Sequence, residues 1–330
     1  MEFRTKEEKE TRRKFRRGIK INRAIICLVI NFILLFSLFF MGEIEILIKL
    51  KPNLKFLNNA SFEIHFVDVG HGDAILIKLP DNKTMMVDCG SKEAYNNLSR
   101  YIDKVFFKSD RNRTIDYFIL THSDTDHIGN MQSVINAYNI GEIYHSSDLN
   151  SMYFYPEIKD SIDLKNIKTT INESGLVING DGYNITWLTP VNEYYEEKND
   201  YSAILYFEFT NYKFILAGDA TSEVGEIEAL NYFIDDIDVD MIKLGHHGSA
   251  TSTSLQFLET FKPEVVVISN GEGYGHPASS TIETLAEYDS LYNTNLMDYY
   301  DTLHKGNIII TGNEINTIKN LNDYIFVDYY

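Results

Sequence analysis

Leu120-Thr121-His122-Ser123-Asp124-Thr125-Asp126-His127-Ile128-Gly129 sets two imidazoles and two carboxylates within six residues. An apolar run over 116–121 precedes it and reads as a strand, and a helical pattern over 128–138 follows. In a continuing strand, His122, Asp124 and Asp126 would share one face and His127 would point away. Where a strand turns into a helix the chain curls, and all four side chains can face one pocket. Imidazole and carboxylate together suit a borderline divalent ion such as Zn²⁺ or Mn²⁺. Capping of the helix by Asp126 explains one aspartate. It leaves two histidines and a second aspartate without a reason.

Three other loops repeat the arrangement. Residues 84–87 read as a strand ending in Asp88-Cys89-Gly90. Residues 213–217 end in Gly218-Asp219-Ala220, and residues 239–244 end in Gly245-His246-His247-Gly248-Ser249. Glycine beside a ligand-type residue lets the backbone take φ > 0 or pass close to a ligand. Four such loops at strand ends argue for one shared pocket. Further strands are expected over 62–69, 74–79, 183–188, 203–209 and 264–269, with helices over 222–233, 254–261 and 280–290. Residues 146–181 carry no clear pattern. Strands come first and then alternate with helices, which suggests sheet layers with helices outside.

The composition frames this domain. Among 330 residues, 30 are Lys or Arg and 48 Asp or Glu, a net charge of −18, and 44% are hydrophobic. Global disorder is excluded by that hydrophobic fraction, and a disulfide scaffold by two cysteines, Cys27 and Cys89. Acidity also disfavours a non-specific nucleic-acid coat, which runs on Lys and Arg. The average hides a split: residues 1–23 carry +6 and the remainder −24. Between them, residues 24–42 are uncharged and almost wholly apolar, which suits a single transmembrane helix. The basic flank predicts a cytoplasmic N-terminus and an extracytoplasmic remainder. No small-residue cleavage site ends the run, so it is read as an uncleaved anchor. The expected organisation is a basic tail over 1–23, a membrane anchor over 24–42, a linker over 43–61 and a hydrolase domain over 62–330. With Cys27 in the membrane and Cys89 outside, no intrachain disulfide is expected.

In order, the chain presents Asp68-Val69-Gly70-His71-Gly72-Asp73-Ala74, Val87-Asp88-Cys89-Gly90, the 120–129 stretch and Asn199-Asp200-Tyr201-Ser202. The 216–220 and 242–249 stretches and Tyr274-Gly275-His276-Pro277 follow. With these motifs, spread over about residues 62–312, the chain resembles the metallo-β-lactamase superfamily, and within it the soluble domain of ComEC-type competence proteins. The resemblance implies a four-layer α/β fold, an αββα sandwich with the site on one sheet edge, usually binding two divalent metal ions. It implies His122 and Asp124 for the first metal, Asp126 and His127 for the second, and Asp219 bridging both. His246 is implied as the last ligand of the second site, with His247 as the alternative. Asp88 would orient a ligand histidine, His276 would point at the substrate, and Asn199 and Ser202 would line the same mouth. Lys243 would lie nearby or serve the strand alone.

Two departures stand out. Asp124 occupies a position where the superfamily commonly has His, and the only candidate for its further isolated histidine is His145, outside any motif. The first metal site is therefore expected to be weak, oxygen-rich or Mn²⁺-selective. His71 stands where Gln is favoured, as a pocket-rim group or a loop histidine, and His65 and His304 are expected to be structural. Two bound cations would lower the pKa of a bridging water, so that hydroxide is present near neutral pH. Asp124, if not bound to metal, could move protons.

The leading expectation is a membrane-anchored, metal-dependent phosphodiesterase or nuclease acting outside the cytoplasm. A wall-polymer phosphoesterase, of teichoic-acid or phosphocholine type, is the rival enzyme. Serving DNA uptake would require a separate membrane channel partner, since one span forms no pore. A non-catalytic binding protein on a relic fold would be marked by missing ligands, and here His122, Asp124, Asp126, His127, Asp219 and His246 are all present.

Overall fold

The alternation of buried side chains along the strands explains the layering of the chain. In a computed structural model, residues 62–108, 112–151, 155–209, 212–233, 237–311 and 314–318 are described. The expected tail, anchor and linker lie outside the described residues. The first sheet runs β15-β14-β1-β2-β3-β4-β5-β6. Its strands are β1 Glu63–Phe66, β2 Ile75–Lys78, β3 Thr84–Val87, β4 Thr114–Leu120, β5 Asn139–His145, β6 Lys168–Ile171, β14 Asn307–Thr311 and β15 Glu314–Ile318. The second runs β13-β12-β11-β10-β9-β8-β7. It comprises β7 Val177–Gly180, β8 Tyr183–Trp187, β9 Leu205–Phe209, β10 Tyr212–Leu216, β11 Met241–Lys243, β12 Val265–Ile268 and β13 Tyr300–Asp301.

Successive residues of a strand face opposite sides, and here both sides are buried. Ile75, Ile77, Met85 and Val87 face inward and meet Trp187, Leu205, Phe207 and Phe214 of the second sheet. Leu76, Met86, Phe118 and Leu120 face outward. They meet helices α1 (Tyr95–Tyr101), α3 (Met131–Ala137) and α4 (Tyr155–Lys165) through Leu98, Val134, Ile135 and Ile158. On the far side, Tyr206, Ile215, Ile242 and Val266 carry α5 (Gly225–Tyr232), α6 (Leu255–Phe261) and α7 (Ser279–Tyr292). The result is the expected order of helices, sheet, sheet, helices. Two-sided burial is why these strands read as continuous apolar runs.

The expected helix over 128–138 starts earlier and is broken. A short helix α2, Thr125–Ile128, directly follows Asp124, and α3 begins only at Met131. Between them Asn130 has left helical geometry, at φ −102° and ψ 5°. Its amide donates to the carbonyl oxygens of Cys89 (2.9 Å) and Ser91 (2.5 Å), and this tertiary link overrides local helix propensity. The uncalled stretch 146–181 contains α4, β6 and β7. Their burial is patchy, with β6 mostly exposed, so hydrophobic periodicity is faint there.

Topology sets the site. Strands β3 and β4 pair in parallel, as do β10 and β11. Each pair therefore ends on the same side, and the loops after all four strands lie at one edge of the sandwich. The Ala203 amide donates to Thr121 O at 3.2 Å and fastens the two sheets together there.

Candidate metal centre

Asp88, at the end of β3, is fully buried and sits in a left-handed conformation at φ 55°. Its Oδ1 accepts the Thr121 amide at 2.8 Å, and its Oδ2 accepts the Thr121 hydroxyl at 2.7 Å. The same Oδ2 lies 2.7 Å from His127 Nδ1. A carboxylate only accepts, so His127 Nδ1 carries the proton and Nε2 presents a lone pair. His247 reaches the same state by another route: its Nδ1 is 2.7 Å from the Ser269 carbonyl, again an acceptor.

The two Nε2 atoms, each left with a lone pair in the neutral ring, face one another at 3.3 Å. Around them stand Asp219 Oδ1, 3.1 Å from His127 Nε2, and Asp126 Oδ2 and Asp219 Oδ2, each 3.4 Å from His247 Nε2. Asp219 Oδ1 makes no hydrogen bond despite that approach. Lone pairs and carboxylate oxygens repel unless a cation lies among them, and one ligand atom from each of Asp126, His127, Asp219 and His247 falls within 4.8 Å of the others. This set of imidazole and carboxylate donors fits a divalent metal ion.

Electrostatics agree with the geometry. Burial pushes the Asp219 carboxyl up, but His127 and His247 beside it hold it well below the usual carboxylate range. Burial likewise opposes ionisation of Asp126, and His247 and His127 hold it low. Both histidines rise against burial, His127 chiefly through Asp219 and Asp88, and His247 to about 9 through Asp219 and Asp126. Without metal, protons occupy the place that a cation would take.

The structure brings His247, rather than His246, into this cluster. Gly245-His246-His247-Gly248 forms a tight turn in which both histidines are left-handed, at φ 45° and 56°. That turn sends consecutive imidazoles to different places. His247 is fully buried, whereas His246 keeps a side chain 25% exposed with Nε2 3.9 Å from Asp219 Oδ2. His246 Nδ1 bonds Thr251 Oγ1 at 2.9 Å, with Asn199 Nδ2 3.3 Å away. Spacing alone does not distinguish neighbouring residues in such a turn.

His122 and Asp124 lie beside the cluster. His122 Nε2 is buried, makes no hydrogen bond, and stands 3.7 Å from Asp124 Oδ2 and 3.9 Å from Asp219 Oδ2. Asp124 is partly exposed, and its other oxygen takes an ion pair from Lys198 at 3.1 Å. Its carboxyl is lowered, first by His122. This trio is looser than the cluster and, among the described residues, is not one of the groups whose ligand atoms all lie within 4.8 Å of one another.

Ser202 corrects an expectation. It is fully buried, and its hydroxyl accepts the Asp219 amide at 3.1 Å, so it holds the Asp219 loop from beneath instead of lining the mouth. Lys243 is fully buried too. Its ammonium pairs with Asp73 Oδ2 at 2.7 Å and donates to the carbonyls of Leu244 (2.9 Å) and Gly218 (3.2 Å). It thus ties the loops of Asp219 and His246 to the 68–74 segment.

The remaining histidines divide by place. His276 and His246 form the rim, with ring centroids 5.9 Å apart. Burial and His247 push His276 below its ordinary value, so near neutral pH it offers a neutral N–H. His71 joins this rim, its Nε2 3.8 Å from Asp126 Oδ2. His145 is buried with Nδ1 bonded to Ser146 O at 2.9 Å, and is not among the four clustered side chains. His65 bonds Tyr101 and Glu63, and His304 bonds Asp301. Cys89 is a buried, free thiol. Asp73 and Lys198 escaped the sequence reading, although Asp73 lies in a quoted motif. Lys198 stands just outside one.

A model of the metallo-beta-lactamase superfamily matches residues 67–270. The chain is 27% identical over 249 residues to ComE operon protein 3 of Bacillus subtilis, covering 68% of this chain and 31% of that protein. It is 27% identical over 238 residues to Recombination protein 2 of Haemophilus influenzae, covering 72% and 28%. The chain thus spans about three-tenths of the length of these relatives. Among solved structures it is similar to CmlA, a diiron β-hydroxylase from Streptomyces venezuelae. The TM-score is 0.52 with 13% identity, covering 79% of this chain and 55% of that one, a likeness of fold alone.

Proposed function

The chain belongs to the metallo-β-lactamase superfamily, and from that premise we propose a metal-dependent phosphodiesterase anchored in the cell membrane and acting outside the cytoplasm. One observation carries the metal dependence: one ligand atom from each of Asp126, His127, Asp219 and His247 lies within 4.8 Å of the others, the donor set of a metal ion. A divalent ion there would lower the pKa of water and polarise a phosphoryl oxygen.

The protein's own residues prepare that chemistry. Asp88 and the Ser269 carbonyl fix the tautomers of His127 and His247, as metal-bound imidazoles require. Ser202 and Lys243 fix the backbone that carries Asp219. Asp124, half open to solvent and held by Lys198, is placed to move a proton between the site and water. His276 and Asn199 stand at the mouth, where a neutral N–H can bond a phosphate oxygen.

The phosphodiester reading draws support from similarity to Recombination protein 2 and to Competence protein ComA of Neisseria gonorrhoeae, and the anchor from residues 24–42. It is tested by hydrolysis of bis-p-nitrophenyl phosphate by the chain loaded with Zn²⁺ or Mn²⁺, with fractionation testing the anchor. One observation favours the wall-polymer rival. A cleft of about 350 Å³ beside His246 is lined by Glu197, Asp200 and Glu223, which suits a phosphoester of a cationic alcohol better than a polyanion. Faster turnover of a phosphocholine ester than of DNA would favour that rival.

A further inference from the structure

The rim contains a ring stack for which metal binding has no use. His71 and Tyr274 lie face to face, centroids 3.7 Å apart and planes within 7°. His71 also lies 4.3 Å from His247 and 5.6 Å from His276. The His71 side chain is 10% exposed, whereas Tyr274 is 63% exposed. The imidazole is therefore an inner plate against the metal cluster, and the phenol ring is an outer plate open to solvent.

The backbone is built to present this pair. A Cβ on Gly271 would lie 2.2 Å from the His71 amide nitrogen, so only glycine lets the two loops approach. Gly273 and Gly275 flank Tyr274 at φ 91° and 71°, conformations that other residues rarely adopt. Single exposed aromatics are ordinary on a surface. An aromatic pre-stacked in parallel on the rim of a candidate metal centre is a more specific arrangement. Base stacking on such a ring is sequence-tolerant, since every base has a π-face.

We propose that His71 and Tyr274 form a stacking platform for an unpaired nucleobase next to the phosphodiester at the metal centre, making single-stranded nucleic acid the preferred substrate. This rests on the phosphodiesterase reading above. A duplex hides its base faces and must pay unstacking energy before using the platform. Stacking also answers the charge problem. A domain of net charge −24 beyond residue 23 lacks the Lys and Arg surplus of ordinary nucleic-acid binders, and stacking gives affinity that does not depend on positive charge.

The test uses the full chain carrying Asp219→Ala, which suppresses cleavage. Fluorescence anisotropy compares a labelled oligothymidylate with an abasic strand of the same length and charge, and an oligouridylate arm separates DNA from RNA. The base-bearing strand is expected to bind about 5- to 150-fold more tightly, the worth of one stacked base. Adding Tyr274→Ala should erase the difference, and Tyr274→Trp should keep it, which separates stacking from a folding defect. Equal binding of base-bearing and abasic strands, or a preference that survives Tyr274→Ala, overturns the platform. Hydrolysis of bis-p-nitrophenyl phosphate by the metal-loaded chain with Asp219 intact tests the other reading separately. Turnover with no base preference removes the platform alone, and absence of turnover with any divalent ion removes the phosphodiesterase.

Discussion

His127 Nε2 and His247 Nε2 face each other at 3.3 Å, although 120 residues separate them in the chain. Each Nδ1 is committed to an oxygen that only accepts, so neither neutral ring can donate across the gap. The pair is therefore expected to bind a divalent ion. His247→Ala should weaken that binding by at least the 10- to 100-fold typical of losing an outer partner of a ligand. His246→Ala should change it far less. Calorimetric titration of Zn²⁺ or Mn²⁺ into both variants checks this; a larger loss in His246→Ala would return the ligand role to His246.

Asp88→Asn should act through His127 without touching metal. An amide can turn its NH₂ toward His127 Nδ1 and favour the wrong tautomer. Metal affinity is expected to fall roughly 10- to 100-fold. Unchanged affinity in a folded variant would remove the orienting role.

Much of this was legible in the sequence, for identifiable reasons. The ends of β4 and β10 announce themselves because apolar strands run straight into ligand-type residues, with a glycine directly before Asp219. The two-sided burial of β2, β3 and β10 made them readable as strands. The choice between His246 and His247 was not legible, because it depends on two left-handed residues in one turn. Nor was the break at Asn130, set by carbonyls some forty residues earlier. Lys243 was ambiguous since its partner, Asp73, comes from the other sheet's first loop.

That buried pair supports a stability prediction. Lys243→Met leaves Asp73 buried without its ammonium partner, with His247 Nδ1 at 3.8 Å as the remaining ion-pair contact, and breaking a buried pair typically costs about 3–5 kcal/mol. Chemical denaturation should show a loss of that order, and Lys243→Met with Asp73→Leu should recover part of it. A loss within about 0.5 kcal/mol would mean that the pair contributes little to folding.

Acid sensitivity should trace partly to Glu63. Its carboxyl is held down at about 2, first by His65 and, against burial, by Lys78 at 2.6 Å. A depressed carboxylate adds stability above its unfolded value of 4.5, and that stability drains away as pH falls toward 2. Glu63→Gln should therefore be less stable than the parent at pH 7 and converge with it near pH 2. Melting temperatures measured from pH 7 to pH 2 check this, and a gap that stays constant across the range would contradict it.

The most direct measurement is phosphodiester hydrolysis by the full chain, stripped of metal and then reloaded. Activity on bis-p-nitrophenyl phosphate should be absent after stripping, return with Zn²⁺ or Mn²⁺, and fail to return in Asp219→Ala. Hydrolysis that survives stripping, or that Asp219→Ala retains in full, would contradict a metal-dependent phosphodiesterase at this site.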